Sequence, residues 1–175
     1  MRSVRYIVLA ATVTGLAACN DDPLRSDAPG EPTPPVTGVQ AYLQVDNEGA
    51  EPGDVVRIAV KVQFGTDSEA KLGSYTGRLR FDPELLVYRD EVNLNDGLRV
   101  SNPNDADTGE IRFAGAAARG FEDLTLYAAM FRVRRTPFVD GLGFEMEEMS
   151  EALTLRNLKP DLDQAEQVFF QRAAR

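Results

Sequence analysis

The chain contains no histidine, no tryptophan and one cysteine among its 175 residues. Without imidazole there is no Ser-His-Asp or Cys-His machinery, no His-ligated metal, and no side chain that ordinarily titrates near neutrality. A single cysteine excludes an internal disulfide and a multi-cysteine zinc site. Basic residues are the minority, 19 Lys and Arg against 28 Asp and Glu, and they form no block that would mark a nucleic-acid footprint. No enzymatic chemistry is expected. What is present, 43% apolar and 27% charged residues in a length that fits one domain, is enough to build a hydrophobic core. The composition is that of a globular binding or structural protein.

Residues 1–18 read as an export signal. Arg2 and Arg5 form a short positive region, Tyr6 to Leu16 is apolar but too short to span a bilayer comfortably, and small residues follow. Leu16-Ala17-Ala18-Cys19 resembles the bacterial lipobox, which implies cleavage before Cys19 and acylation of its sulfur, the only thiol in the chain. Removing residues 1–18 takes away Arg2 and Arg5 and no acid, so the net charge moves from −9 to −11. Anionic lipid offers such a chain no electrostatic hold, and more than one acyl chain would have to anchor it. By resemblance to enteric lipoproteins, Asn20 in place of an inner-membrane retention Asp points to the outer membrane. Residues 19–38 follow as a tether. Pro23, Pro29, Pro32, Pro34 and Pro35 with few apolar neighbours cannot bury enough surface to offset ordering. In polyproline II, at about 3.1 Å per residue, the segment reaches roughly 60 Å.

From Val39 the texture becomes short β-type runs separated by turn residues. Val56, Ile58, Val60, Val62 and Phe64 alternate with Arg57, Ala59, Lys61 and Gln63, one face for a core and one for water. Tyr75, Gly77, Leu79 and Phe81 alternate with Thr76, Arg78 and Arg80 in the same way. The other strands expected are 39–45, 85–88, 98–101, 111–115, 124–133, 144–149 and 152–155. Turn signals recur between them, among them Pro52-Gly53, Asp82-Pro83, Asn95-Asp96-Gly97 and Asp140-Gly141. Nine short strands with no amphipathic helix between them predict an all-β sandwich. After Pro160, Leu162, Ala165, Val168 and Phe169 recur near helical spacing, with Asp161 as cap and Arg172 and Arg175 at the far end. A short helix in the 158–175 tail is expected, packed on a domain spanning 39–157; an exposed Phe169-Phe170 docking segment is the alternative.

Three stretches carry a family resemblance across nearly all of 39–157. They are Pro52-Gly53-Asp54-Val55-Val56, a turn entering an alternating strand; Leu79-Arg80-Phe81-Asp82-Pro83-Glu84-Leu85-Leu86, a strand ending in an aromatic-Asp-Pro turn; and Gly120 with Ala128-Ala129 and Phe131-Arg132-Val133. In order and spacing they resemble a cohesin domain, the nine-stranded jelly-roll module related to cellulose-binding modules. The resemblance implies a non-catalytic module that binds a dockerin-like protein through the outward face of the sheet built from the third, fifth, sixth and eighth strands. A single copy with a lipid anchor, and no duplicated calcium repeat, departs from the cellulosomal pattern.

Alternation places Thr76, Arg78, Arg80, Arg99 and Arg112 on that outward face, with Glu145 and Glu147. Arginine suits carboxylate recognition, so a positive strip is expected there, with an acidic partner and salt-dependent association. Arg57, Lys61 and Arg132 are expected on the opposite sheet. Asp105, Asp107 and Glu110 alternate around Gly109, part of a calcium loop, but the rest of an EF-hand is missing and a plain turn is the expectation; no cofactor is required. Ser68-x-x-Lys71 matches an acyl-transfer spacing yet lies in a polar loop. Two other readings stay open. A polysaccharide-binding module would use Tyr42, Tyr75, Tyr88 and Tyr127, of which Tyr75 and Tyr127 are expected to point inward. The other is a structural envelope lipoprotein.

Overall fold

The computed structural model describes residues 38–170 apart from 48 and 67, and for 164–170 the backbone alone. The leader, Cys19 and the tether up to residue 37 lie outside the described residues, as do Arg172 and Arg175. Nine strands form two layers: β1 Val39–Val45, β2 Val55–Phe64, β3 Leu72–Phe81, β4 Leu86–Glu91, β5 Leu98–Asn102, β6 Glu110–Ala116, β7 Thr125–Val133, β8 Leu142–Glu151 and β9 Leu162–Phe170. One sheet has the order β4-β7-β2-β1-β9 and the other β5-β6-β3-β8. All neighbours are antiparallel except β1 and β9. The second sheet contains the third, fifth, sixth and eighth strands, the set the resemblance implied.

The core lies between the layers, filled by alternate residues. Val39, Ala41, Leu43 and Val45 of β1 and Val56, Ile58, Val60 and Val62 of β2 face Tyr75, Leu79 and Phe81 of β3 and Ile111 and Phe113 of β6. Phe131 of β7 meets Phe81 edge-on with centroids 5.0 Å apart, and truncating it to Ala would cost about 3–5 kcal/mol. Within the four-stranded sheet, bulky residues stand opposite glycines. Gly115 pairs with Tyr75 and Gly77 with Phe113, and a Cβ on Gly115 would come within 2.5 Å of the Tyr75 ring. These glycines make room for aromatic rings that cross the sheet. Tyr75 and Tyr127 are both 2% exposed, inward as expected, and Tyr127 stacks on Phe113 at 5.2 Å.

Two expectations fail. The stretch 152–155 is a turn: Leu153 and Leu155 take left-handed φ of 67° and 55°, and the chain folds back so that Leu158 N–H reaches the Met149 carbonyl. The tail is no helix. Leu162–Phe170 is β9, added parallel to β1, so the five-stranded sheet extends beyond the expected boundary at 157. Its register explains the misreading. Ala41 pairs with Gln164 but Leu43 with Val168, so β9 spends extra residues in a bulge, and the inserted residues turn a period of two into a mimic of helical spacing.

Candidate partner-binding face

The outward surface of the β5-β6-β3-β8 sheet is built in rows, because directly opposed residues point to the same side. The first row is Leu98, Ala116, Ser74 and Ser150; the second is Val100, Ala114, Thr76 and Glu148. The third is Asn102, Arg112, Arg78 and Glu145, and the fourth begins with Glu110 and Arg80. The face therefore divides into a half of small and aliphatic side chains, bordered on β8 by the exposed carboxylate of Glu148, and a half of interleaved charges.

In the charged half, Arg78, Arg80 and Arg112 stand side by side as expected, but they do not make a positive strip. Carboxylates are interleaved with them. Arg78 is ion-paired with Glu147, and lies 3.7 Å from both Glu145 and Glu110. Arg80 reaches Glu145 at 3.3 Å and Glu110 at 3.5 Å, and Arg112 donates to Glu110 at 3.1 Å. Three guanidinium groups thus meet three carboxylates. The hydrogen bond from Arg112, against some desolvation and with help from Arg78 and Arg80, holds the Glu110 carboxyl below its ordinary pKa. The sequence expectation put Glu145 and Glu147 on this face but did not pair them with the arginines, and it left out Glu110, the first residue of β6.

Arg99 is not on the face. Its side chain is 8% exposed and turns inward. The guanidinium donates to the carbonyls of Thr125, Leu126 (3.3 Å) and Asp123 (3.1 Å) and to the Tyr75 hydroxyl (2.9 Å), while Nε donates to the Asp96 carbonyl (2.7 Å). It lies 4.5 Å over the Phe121 ring. Tyr75 in turn donates to Leu126 O at 2.6 Å, and burial, opposed by Arg99, pushes its pKa up to about 12. Asp96 accepts the N–H groups of Glu122 and Asp123, so the 95–97 turn is pinned to the turn before β7 and forms the socket for Arg99. The inversion has a reason: pairing with Ala116 and Ala114 fixes the phase of β5, and it sends Leu98 and Val100 outward. They are 68% and 57% exposed. Reading apolar residues as inward hid them, and only the phase of the pairing could have found them.

Leu98, Val100, Ala114 and Ala116 wall a shallow depression of about 240 Å³, closed by Ser74, Thr76 and Glu148. Thr76 is where alternation placed it.

The remaining candidates do not converge. Asp105 and Asp107 are exposed in a 3-10 turn over Ala106–Thr108, closed by Gly109 at φ 87° and by Thr108 Oγ1 donating to the Asp105 carbonyl. Glu110 is committed to the arginines, so the calcium-loop reading fails at its third oxygen; no group of three acids among the described residues could hold a metal. Ser68 and Lys71 are both exposed in the β2–β3 loop. The four tyrosines share no surface: Tyr75 and Tyr127 are in the core, Tyr88 packs against Phe131 at 5.9 Å, and Tyr42 stands opposite Lys61 on β2.

No protein-family model matches the chain, and no curated protein matches it. Solved structures do. The sixth cohesin of scaffoldin B from Acetivibrio cellulolyticus, in complex with a mutant Cel5 dockerin, superposes with a TM-score of 0.56 at 14% identity, covering 77% of this chain and 99% of that one. A non-cellulosomal cohesin from the hyperthermophilic archaeon Archaeoglobus fulgidus gives 0.54 at 16% identity, over 77% and 92%. The cohesin module of a family 33 glycoside hydrolase from Clostridium perfringens gives 0.53 at 12%, over 77% and 99%. The chain has the cohesin fold, a β-sandwich of two sheets.

Proposed function

We propose that this cohesin-fold domain is a non-catalytic protein-binding module, held at the bacterial envelope by acyl chains on Cys19 and binding through the outward face of its four-stranded sheet. The observation that carries the reading is that face itself. It sets two large aliphatic residues, Leu98 and Val100, in water beside a fixed network of charges, on a sheet that needs neither for its own core. An exposed aliphatic patch bordered by ordered polar groups is the usual form of a recognition surface. The cohesins of similar fold support it: one of the solved structures holds a dockerin, and a partner of dockerin kind is the model for this one. The absence of histidine supports a role without catalysis.

The binding test is a pull-down of dockerin modules and of the cell's own envelope and secreted proteins with the full-length protein, beside a variant carrying Leu98→Ser and Val100→Ser. A partner captured equally by both would overturn the placement. The anchoring test is separate. Cys19→Ser should abolish lipid labelling and release the protein from the outer-membrane fraction; a variant that stays in the membrane as before refutes the anchor.

A further inference from the structure

Resting on the reading of this face as protein-binding, we propose that its occupant is a protein segment with an aliphatic anchor and no net charge, in place of the acidic partner that a row of arginines invites. The depression between Leu98, Val100, Ala114 and Ala116 holds about 240 Å³. At about 30 Å³ per water, several waters leave when an aliphatic side chain enters it. Among the described residues, no large apolar side chain of this face other than Leu98 and Val100 is available to fill it, and those two form its wall. The anchor therefore comes from the partner.

The rest of the contact follows from size. Same-face residues along a strand are about 6.8 Å apart and strands about 4.8 Å apart. The aliphatic half, two rows across β5 and β6 and onto β3, thus covers about 200 Å² in plan. A specific interface needs about 800 Å² per partner. A partner anchored at Leu98 and Val100 must also cover the third and fourth rows.

Those rows are charge-balanced and already paired. A carboxylate brought to Arg78 or Arg80 would compete with Glu110, Glu145 and Glu147, and displacing any of them leaves a charge desolvated and unpaired. A basic group faces the same obstacle with the arginines. Hydroxyl and amide groups, or a balanced ion pair of the partner's own, cover the network without breaking it. The charged half then acts as a neutral polar surface that fixes register, and the aliphatic half supplies most of the affinity.

The test uses a displayed library of one helical-bundle scaffold randomised on a single face, selected against the full-length protein. Selected faces are expected to be enriched in Leu, Ile, Met, Ser, Thr and Asn with net charge near zero. Their affinity should fall about tenfold or more with Leu98→Ser plus Val100→Ser, and change less than about threefold over a tenfold rise in salt. Circular dichroism melting of the variant checks that its fold is intact. Selection of acidic faces, sensitive to salt and to Arg112→Glu but indifferent to Leu98 and Val100, overturns the neutral-partner inference and leaves the face as the binding surface. Binders lost only with Arg57→Glu plus Lys61→Glu overturn both. Recovery of no binder that depends on Leu98 and Val100 also overturns the inference. So does concentration-dependent self-association abolished by the same pair of substitutions, which would make a second copy the occupant.

Discussion

The two outward faces of the sandwich carry similar numbers of basic side chains and opposite electrostatics. On the β5-β6-β3-β8 face, Arg78, Arg80 and Arg112 are locked to Glu110, Glu145 and Glu147. On the other face, Arg57, Lys61 and Arg132 have no carboxylate within ion-pairing distance among the described residues. Of the two faces, the five-stranded one carries the described cations without an ion-pair partner, and in the face richest in arginine each of those three guanidinium groups is paired. A strand read alone gives its own charges; a face is a sum over neighbouring strands, and the neighbours decide the sign.

The comparison can be broken or sharpened by substitution, and the largest effect is expected at the arginine that left its face. Arg99→Ala removes the donor for carbonyls of residues 123, 125 and 126 and leaves them without that partner in a largely buried socket. A loss of about 2–4 kcal/mol in urea unfolding is expected; a loss as small as that of an exposed arginine would return Arg99 to the surface. Next comes Arg78→Glu, which places a carboxylate among Glu110, Glu145 and Glu147. It should cost about 1–2 kcal/mol by the same measurement, since like charges directly opposite on a sheet repel.

A smaller effect concerns acid. Because the folded pKa of Glu110 is lowered, its contribution to stability is present above the ordinary glutamate value of about 4.3 and is lost as pH falls through the folded value. Glu110→Gln should therefore flatten the acid limb of a melting-temperature profile, by lowering the melting temperature at neutral pH while changing it little at pH values below the folded pKa. The smallest effect is expected on the five-stranded face. Arg57→Glu with Lys61→Glu removes no ion pair among the described residues and should stay within about 0.5 kcal/mol. A larger loss there than at Arg78 would invert the comparison.

Much of this was legible in the sequence, and the misses share a cause. β2 and β3 announce themselves, because a strand with neighbours on both sides and one face on the core must alternate: Val56 to Phe64 and Tyr75 to Phe81 do. The edge strands do not. β5 has one neighbour, its apolar residues face water, and its arginine enters a socket formed by the adjacent 95–97 turn and the sequence-distant stretch at 123–126. β9, on the edge of the other sheet, hides its period behind a bulge. The turn at 152–155 carries neither Gly nor Pro. It is held by the Glu151 carboxylate, which accepts from Thr154 Oγ1 at 2.8 Å and Arg156 Nε at 3.2 Å, a local device that no propensity records. Thr76, Arg78, Arg80 and Arg112 were placed by alternation, and so were Glu145 and Glu147; that these carboxylates and Glu110 pair with the arginines was not legible, because register belongs to the fold.

The parallel pairing of β1 with β9 has a bearing on how the chain assembles. The earliest strand of the domain waits for the latest one, with nearly every residue of the sandwich between them. During vectorial emergence from a ribosome or a translocation pore, β1 can find β2 early, but its far side stays a row of open N–H and C=O groups until β9 arrives. That exposed edge is an invitation to pair with another molecule, and the wait for it is long because the closing contact is the least local in the sheet. Shortening the chain before Leu162 would leave the four-stranded sheet untouched on the other layer while making the domain prone to stick to its own kind.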